Sequence, residues 1–522
     1  MTLPGPSQWA PTLSDYPDWY PGQAEAFKSI LTWLQSPTRF MCIEAPTGSG
    51  KSLLAMLSAL LTSRRTVILT ATKGLQDQFG QLFGDNLTDI RGQQSYICNL
   101  DGPRVTVDKA LCHKGYKCPL QQNGCDYYDS LHRAQASPVV VTNYHYYLAQ
   151  LIAPLRRSLG PVGMIICDEA HLAMASMQSH LECSLPLDYD PPTAPKEWGD
   201  WTSWLALYTR STYKALDELE DEMSGYKAER TRVPTSLYQR RDTLRGILRS
   251  LTKLQANYSD DWVWDIGPGS VKFTPVWPKG ELLFEDTPKV LLMSAVLTPH
   301  LADTLRVPAD DREFVSIPSS YPPANTPVTH VPTVRVTHRT SDIEMAAWVR
   351  RIDQIIEGRS DRKGIVSTVS YARRDFLLQH SAYADRMMTH SSRDTAAVVQ
   401  RFRDAPAPAI LVSPAITSGW DFPHDDCQYI IIGKVPYPDT RAGVTQARHA
   451  TDKDWTSHLA MQTLIQVAGR GTRSESDQCE VLIVDDSWRW WWPKYRDFAP
   501  LWFQARVTPS SITVPKPLSI KG

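Results

Sequence analysis

One stretch constrains this chain more than any other: Ala45-Pro46-Thr47-Gly48-Ser49-Gly50-Lys51-Ser52. Before it, Phe40 to Glu44 is short and apolar, which predicts a buried strand; after it, LLAMLSALL has helical spacing and good helix formers. Strand, glycine-rich turn and helix in that order make a phosphate-binding loop, with Ala45 where the generic pattern has its first glycine. Gly48 and Gly50 allow the backbone to turn successive N–H groups inward, and the following helix start adds its positive dipole end. Lys51 is placed to reach terminal phosphates, and the Ser52 hydroxyl to ligate Mg²⁺.

A chain of 522 residues is too long for one core and predicts about three or four domains. The formal net charge is −1, so contact with nucleic acid needs local basic surface rather than overall charge. The longest apolar runs fall short of a membrane span, and the start MTLPGPSQWA lacks a basic-then-apolar signal pattern, so a cytoplasmic location is expected. Nine cysteines is an odd number, and Cys42 and Cys167 fall in predicted buried strands, which suits a reducing compartment. Trp488, Trp490, Trp491 and Trp492 cluster near the C-terminus, where core packing is the expected use.

Taken in order, a helix from about Gly22 to Gln35 starts after Tyr20-Pro21, with Gln23 at its head; its amide suits the edge of adenine. Thr66–Thr70, Val139–Val141, Met164–Cys167 and Val290–Met293 are continuous apolar runs, which predict a parallel sheet covered on both faces. Between the first two lie Cys98, Cys112, Cys118 and Cys125, at intervals of thirteen, five and six residues. No pair forms a tight CxxC knuckle, and spacing leaves zinc and an iron–sulfur cluster about even, with His113 a further candidate ligand.

Asp168-Glu169-Ala170-His171 follows the Met164–Cys167 strand, so two carboxylates sit where open α/β sheets hold their ligands. Asp168 suits Mg²⁺, Glu169 a base that orients water, and His171 a relay. From Glu182 to Asn257 the pattern turns helical. Leu205, Tyr208, Leu216, Leu219 and Met223 form one stripe, and Leu244, Ile247, Leu248, Leu251 and Leu254 another. Arg241, Arg245 and Arg249 repeat at i, i+4, a stripe that can track a phosphate backbone, although a solvated face or pairing with the acidic run Asp217–Glu222 is the expected use.

After a proline-rich stretch over 315–333, a second α/β unit carries Gly419-Trp420-Asp421 and Gln466-Val467-Ala468-Gly469-Arg470-Gly471-Thr472-Arg473. Gln466, Arg470 and Arg473 share a helical face, where guanidinium groups can neutralise a transferring phosphoryl group held by the other unit.

With YPGQ, APTGSGKS, the cysteine insertion, TNY (Thr142–Tyr144), DEAH, SAVL (Ser294–Leu297), GWDFP and QVAGRGTR in this order, the chain resembles the superfamily 2 helicases, most closely the iron–sulfur group containing XPD and DinG. The resemblance implies an α/β fold with two RecA-like parallel-sheet motor domains and two insertions in the first. Residues 1–90, 131–181 and 259–304 form motor domain 1. The iron–sulfur domain is 91–130, the helical arch 182–258, and motor domain 2 is 305–522.

It also implies a [4Fe–4S] cluster on Cys98, Cys112, Cys118 and Cys125, and ATP with Mg²⁺ on Gln23, Ala45–Ser52, Gly419 and Asp421. The implied activity is unwinding of tailed or forked DNA by a monomer moving 5′ to 3′ on a single strand. Translocation without strand separation, and RNA as substrate, are the alternatives. Val296 departs from the family's usual threonine, Ser418 from a glutamate, Gln93 from a basic residue and Cys479 from a glycine.

Overall fold

The computed structural model describes residues 3–518 except 103, 111, 113–116, 153–158, 230, 232, 260, 392, 415–419 and 473–475. Two compact units are present. One comprises Met1–Ala173, Phe284–Pro438 and Thr456–Gly522; the other comprises Met174–Leu283 and Asp439–Trp455.

The larger unit holds two parallel sheets. In the first lobe the strands are β1 (Phe40–Glu44), β2 (Thr66–Thr70), β3 (Thr88–Asp89), β4 (Val139–Asn143), β5 (Met164–Cys167), β6 (Lys289–Ser294) and β7 (Arg312–Ser316). Their order is β7-β1-β6-β5-β2-β4-β3, and every pairing is parallel. β1, β2, β5 and β6 are buried along their whole length, as their unbroken apolar character predicts. The second lobe contains β8 (Val328–His330), β9 (Gly364–Ser367), β10 (Met387–Thr389), β11 (Ile410–Ser413), β12 (Tyr429–Ile432) and β13 (Glu480–Ile483). Their order is β8-β13-β12-β9-β11-β10, again parallel throughout.

This is the predicted pair of RecA-like sheets, with one boundary moved. Arg312–Ser316, expected in the second motor domain, pairs with β1 at the edge of the first sheet. The chain crosses to the second lobe only through the prolines that follow Ser316. The tryptophan cluster is largely core: Trp488 and Trp491 are buried, and Trp488 stacks on Trp492 at 4.9 Å between centroids, while Trp490 is exposed.

The smaller unit carries the predicted helical hairpin as helices Gly199–Ala228 and Thr235–Asn257. Leu205, Tyr208, Leu219 and Met223 are buried from the first, Leu251 and Leu254 from the second. Of the arginine repeat, Arg245 pairs with Glu220 at 2.7 Å, whereas Arg241 is buried rather than solvated. The unit also contains a three-stranded antiparallel sheet that the helical pattern did not predict: Cys183–Pro186, Ser270–Pro275 and Trp262–Gly267, with the middle segment central. Residues 262–275 fall within the bounds 259–304 expected for motor domain 1 but lie in this unit, and the motor sheet resumes at Lys289, where the apolar run predicts it. Trp201 packs edge-on against Phe273 at 4.9 Å, joining hairpin to sheet. Residues 439–455 belong here through Arg448, which donates to the Val276 carbonyl and to Gln178 Oε1, each at 2.6 Å.

Candidate active site

The loop between β1 and the helix Lys51–Leu61 adopts the conformation its glycines allow. Gly48 and Gly50 have φ of 78° and 76°, a region that favours glycine, and Gly50 caps the helix start. Gly50 also has no room for a side chain, since a Cβ there would lie 2.0 Å from Gln23 Nε2. Lys51 is buried and donates from Nζ to the Ala45 and Pro46 carbonyls at 3.3 Å each. Ser49 Oγ donates to Pro46 O at 2.7 Å and tightens the turn.

Gln23 does not line the space over the loop. It is fully buried and braces the loop from behind: Nε2 donates to Ser49 O at 2.8 Å and Gly50 O at 3.2 Å, while Oε1 accepts from Tyr20 N at 2.9 Å.

β5 delivers Asp168 and Glu169 opposite Lys51. Glu169 has φ 50°, a left-handed conformation that costs a non-glycine residue and is commonly found at working sites. Burial and the neighbouring Glu169 push the Asp168 carboxyl up, with Lys51 pulling against them. For Glu169, burial also raises the carboxyl, but Lys51, His171 and Arg470 outweigh it and hold it well below the usual range. Glu169 Oε2 is buried 3.2 Å from His171 Nδ1. His171 Nδ1 is also 2.8 Å from Ser294 Oγ at the end of β6. Tyr144, in the TNY motif, donates its hydroxyl to Asp168 O at 3.0 Å and fixes the backbone there.

The second lobe closes the site. The helix Trp455–Ala468 ends beside the phosphate loop: a Cβ on Gly469 would stand 3.4 Å from Thr47 Oγ1. Arg470 is buried and donates to Trp420 O at 2.9 Å, Asp421 Oδ1 at 3.3 Å and Gln466 Oε1 at 3.3 Å. Burial lowers its guanidinium, and the charge of Glu169 opposes that. The Gln466 Nε2 atom is buried without a partner.

Together these residues line one cleft of about 500 Å³, which takes in Thr47, Gly48, Gly50, Lys51, Ser52, Asp168, Glu169, His171, Asp421, Gln466, Gly469 and Arg470. It is lined as well by Tyr16, Leu82 and Phe83, which belong to no sequence motif, and by Tyr20 of the YPGQ segment. They come from turns and a helix end with no fixed spacing to the loop, apart from Tyr20, which adjoins the quoted Pro-Gly-Gln. Gly419 and Arg473 lie outside the described residues.

The donor set suits a triphosphate with a divalent cation. There are a lysine and an arginine from the two lobes, a hydroxyl at Ser52, carboxylates at Asp168 and Glu169, and a buried, unpartnered Gln466 Nε2.

The cysteine segment gives a partial answer. Tyr128's phenol is raised by burial first, and the charges of Cys112, Tyr127, Cys125 and Cys118 add to it. Asn99, beside Cys98, donates to the carbonyl of Gly124, beside Cys125, at 2.9 Å. The nine cysteines form no disulfide. Among the described residues, however, no three ligating side chains close into a metal-binding group. The thiols share a location and the right donor chemistry for a cluster without standing at ligand spacing. No described helix is long and apolar enough to cross a membrane.

Comparison with known proteins gives matches over both lobes. Residues 361–506 match the family "Helicase C-terminal domain", and residues 17–190 match "Type III restriction enzyme, res subunit". A solved structure described as "XPD_Helicase" aligns over 93% of this chain and 98% of its own, with a TM-score of 0.61 at 15% identity. One described as "XPD_APO" aligns over 93% and 100%, at 0.60 and 15%. The structure of S. tokodaii Xpd4 aligns over 94% and 99%, at 0.59 and 13%. No curated protein matches in sequence.

Proposed function

We propose, from a fold shared with solved XPD structures and from matches to a helicase C-terminal domain and a type III restriction enzyme res subunit, that this chain is an ATP-driven DNA helicase moving 5′ to 3′ on a single strand. The observation that carries this reading is the shared cleft: Lys51 and Glu169 from one sheet and Arg470 from the other line the same space.

In this reading the amides of residues 47–52 and Lys51 cradle the phosphates. Ser52 and Asp168 would hold Mg²⁺, which supplies charge neutralisation at the terminal phosphates. Glu169, held ionised by Lys51, His171 and Arg470, orients the attacking water and takes its proton. Arg470, anchored by Trp420 O and Gln466, stabilises charge developing on the phosphoryl oxygens, as Arg473 would from the same motif. The aromatic end at Tyr16, Tyr20 and Phe83 receives the base. Loss of the terminal phosphate removes what joins Lys51 to Arg470, so each turnover loosens one lobe from the other. Cys98, Cys112, Cys118 and Cys125 would hold a [4Fe–4S] cluster, which orders that insertion.

The test is strand displacement on 5′-tailed and 3′-tailed DNA duplexes, with RNA duplexes in parallel. The reading expects ATP-dependent displacement of the 5′-tailed DNA, abolished in Lys51→Ala. ATP turnover without displacement indicates a translocase, and preference for RNA or for a 3′ tail refutes the substrate or the polarity.

A further inference from the structure

Where β4 ends, three consecutive side chains each tie a different part of the first lobe. Thr142 Oγ1 donates to the Ile90 carbonyl at 2.7 Å, and Asn143 Nδ2 donates to Gln76 Oε1 at 3.3 Å. Asn143 Oδ1 also accepts from Tyr146 N at 2.9 Å and so caps the helix Tyr144–Ile152. These bonds fix the point from which Tyr144 projects. Its side chain is fully buried, and its hydroxyl donates to the Asp168 carbonyl at 3.0 Å. Cys167 Sγ is also within reach of that hydroxyl, but a thiol sulfur is a weak acceptor, so the carbonyl takes the single proton.

That carbonyl sits where the sheet has stopped. β5 ends at Cys167, and its ladders to β2 and β6 end there too. Asp168 N still donates to Leu69 O at 2.9 Å, but the next peptide, joining Asp168 to Glu169, lies beyond both ladders. Glu169 then takes φ 50° and ψ 49°, and Leu172 N closes the turn on Glu169 O at 2.9 Å. An L side chain is disfavoured in that conformation, so something outside the turn has to hold it. From it, the Glu169 carboxylate meets the charges of Lys51, His171 and Arg470. Rotating the Asp168–Glu169 peptide changes the ψ of one residue and the φ of the next together. It would return Glu169 to negative φ and turn its Cβ away from those cations.

We infer that Tyr144 is a positioning residue for Glu169: its hydroxyl pins the peptide before Glu169 and so keeps that side chain in the left-handed turn from which it faces Lys51. This rests on the reading of the cleft as an ATP site and adds to it a residue that acts only through the base. Tyr144 is not among the residues that line the cleft, so a nucleotide meets the same walls with or without its hydroxyl. Binding is therefore separable from turnover.

The test is steady-state ATP turnover by the full chain under single-strand stimulation. Tyr144→Phe keeps the ring and removes the donor. Turnover is expected to fall on the order of tenfold, with KM within about twofold of wild type. Replacing Tyr144 by 4-aminophenylalanine, whose N–H still donates, is expected to restore turnover to within about twofold. In a Glu169→Gln chain, whose residual turnover no longer uses the carboxylate, adding Tyr144→Phe is expected to lower turnover by less than about twofold more.

If Tyr144→Phe does not fold, 4-methylphenylalanine at the same position fills the space of the hydroxyl without a donor and carries the measurement. Unchanged turnover, a fall matched by a rise in KM, a 4-amino variant as slow as Tyr144→Phe, or a full loss that persists in the Glu169→Gln chain each overturns the assignment and leaves the motor reading standing. A wild-type chain that turns over no ATP overturns that reading and the assignment with it.

Discussion

Gln23 shows how a residue of the expected type can do different work from the expected one. Its amide suits an adenine edge, but both ends are committed to the backbone of the loop and its approach: Ser49 O, Gly50 O and Tyr20 N. Removing it leaves a buried carbonyl at Ser49 without its donor, which costs about 1–3 kcal/mol. Gln23→Ala is therefore expected to raise KM for ATP and GTP by the same factor, on the order of tenfold, with their ratio unchanged. A changed ratio in steady-state kinetics would return Gln23 to base reading.

Glu44, the last residue of β1, gives a second residue-scale prediction. Burial pushes its carboxyl up to about 7, against the hydrogen bond that Ser316 Oγ donates to Oε2 at 3.0 Å. The native state then binds a proton that the unfolded chain has already lost between the ordinary carboxylate value and about 7. Stability falls as pH rises through that window and levels off above it. Glu44→Gln should remove this loss. The melting temperature of the variant should gain on wild type between pH 5 and 8, by the equivalent of about 2–3 kcal/mol. A constant difference across that range would show that Glu44 ionises normally.

At the scale of elements, the sequence was readable where one physical rule dominated. β1, β2, β5 and β6 are buried on both faces, so their apolar runs are uninterrupted and their ends carry the phosphate loop and the Asp168–Glu169 pair at positions that chain order alone predicts. The hairpin was readable because its stripes repeat at helical spacing over long helices. What escaped was short or half-buried. β7 alternates half-buried and exposed residues at a sheet edge, and only its pairing with β1 makes it part of the first lobe. The strands Trp262–Gly267 and Ser270–Pro275 meet through a two-residue turn whose partner across the sheet, Cys183–Pro186, is distant in sequence. The aromatic lining of the cleft draws on two segments, around Tyr16–Tyr20 and Leu82–Phe83, which no linear motif links.

The cysteine insertion sits between these cases. Four thiols in 28 positions are legible in the sequence, yet among the described residues they do not close into a metal-binding group. A bound cluster would draw them together and order the segment. Anaerobically purified protein is expected to show visible iron–sulfur absorbance, lost in Cys112→Ser; zinc in its place would refute the cluster.

At the scale of the whole larger unit, two sheets that share no strand build one site. Neither wall is complete alone. In the proposed reading the first lobe supplies cradle, metal carboxylate and base, and the second supplies the cation; the residues assigned to both line one cleft. Gly469 against Thr47 shows how closely they approach. The most direct test of this arrangement is ATP turnover by Arg470→Ala under single-strand stimulation, with nucleotide affinity measured on the same sample. The account predicts turnover lower by about 10³-fold, with affinity changed by less than about tenfold, because the guanidinium acts on charge that develops during transfer. Turnover within a few fold of wild type would contradict it.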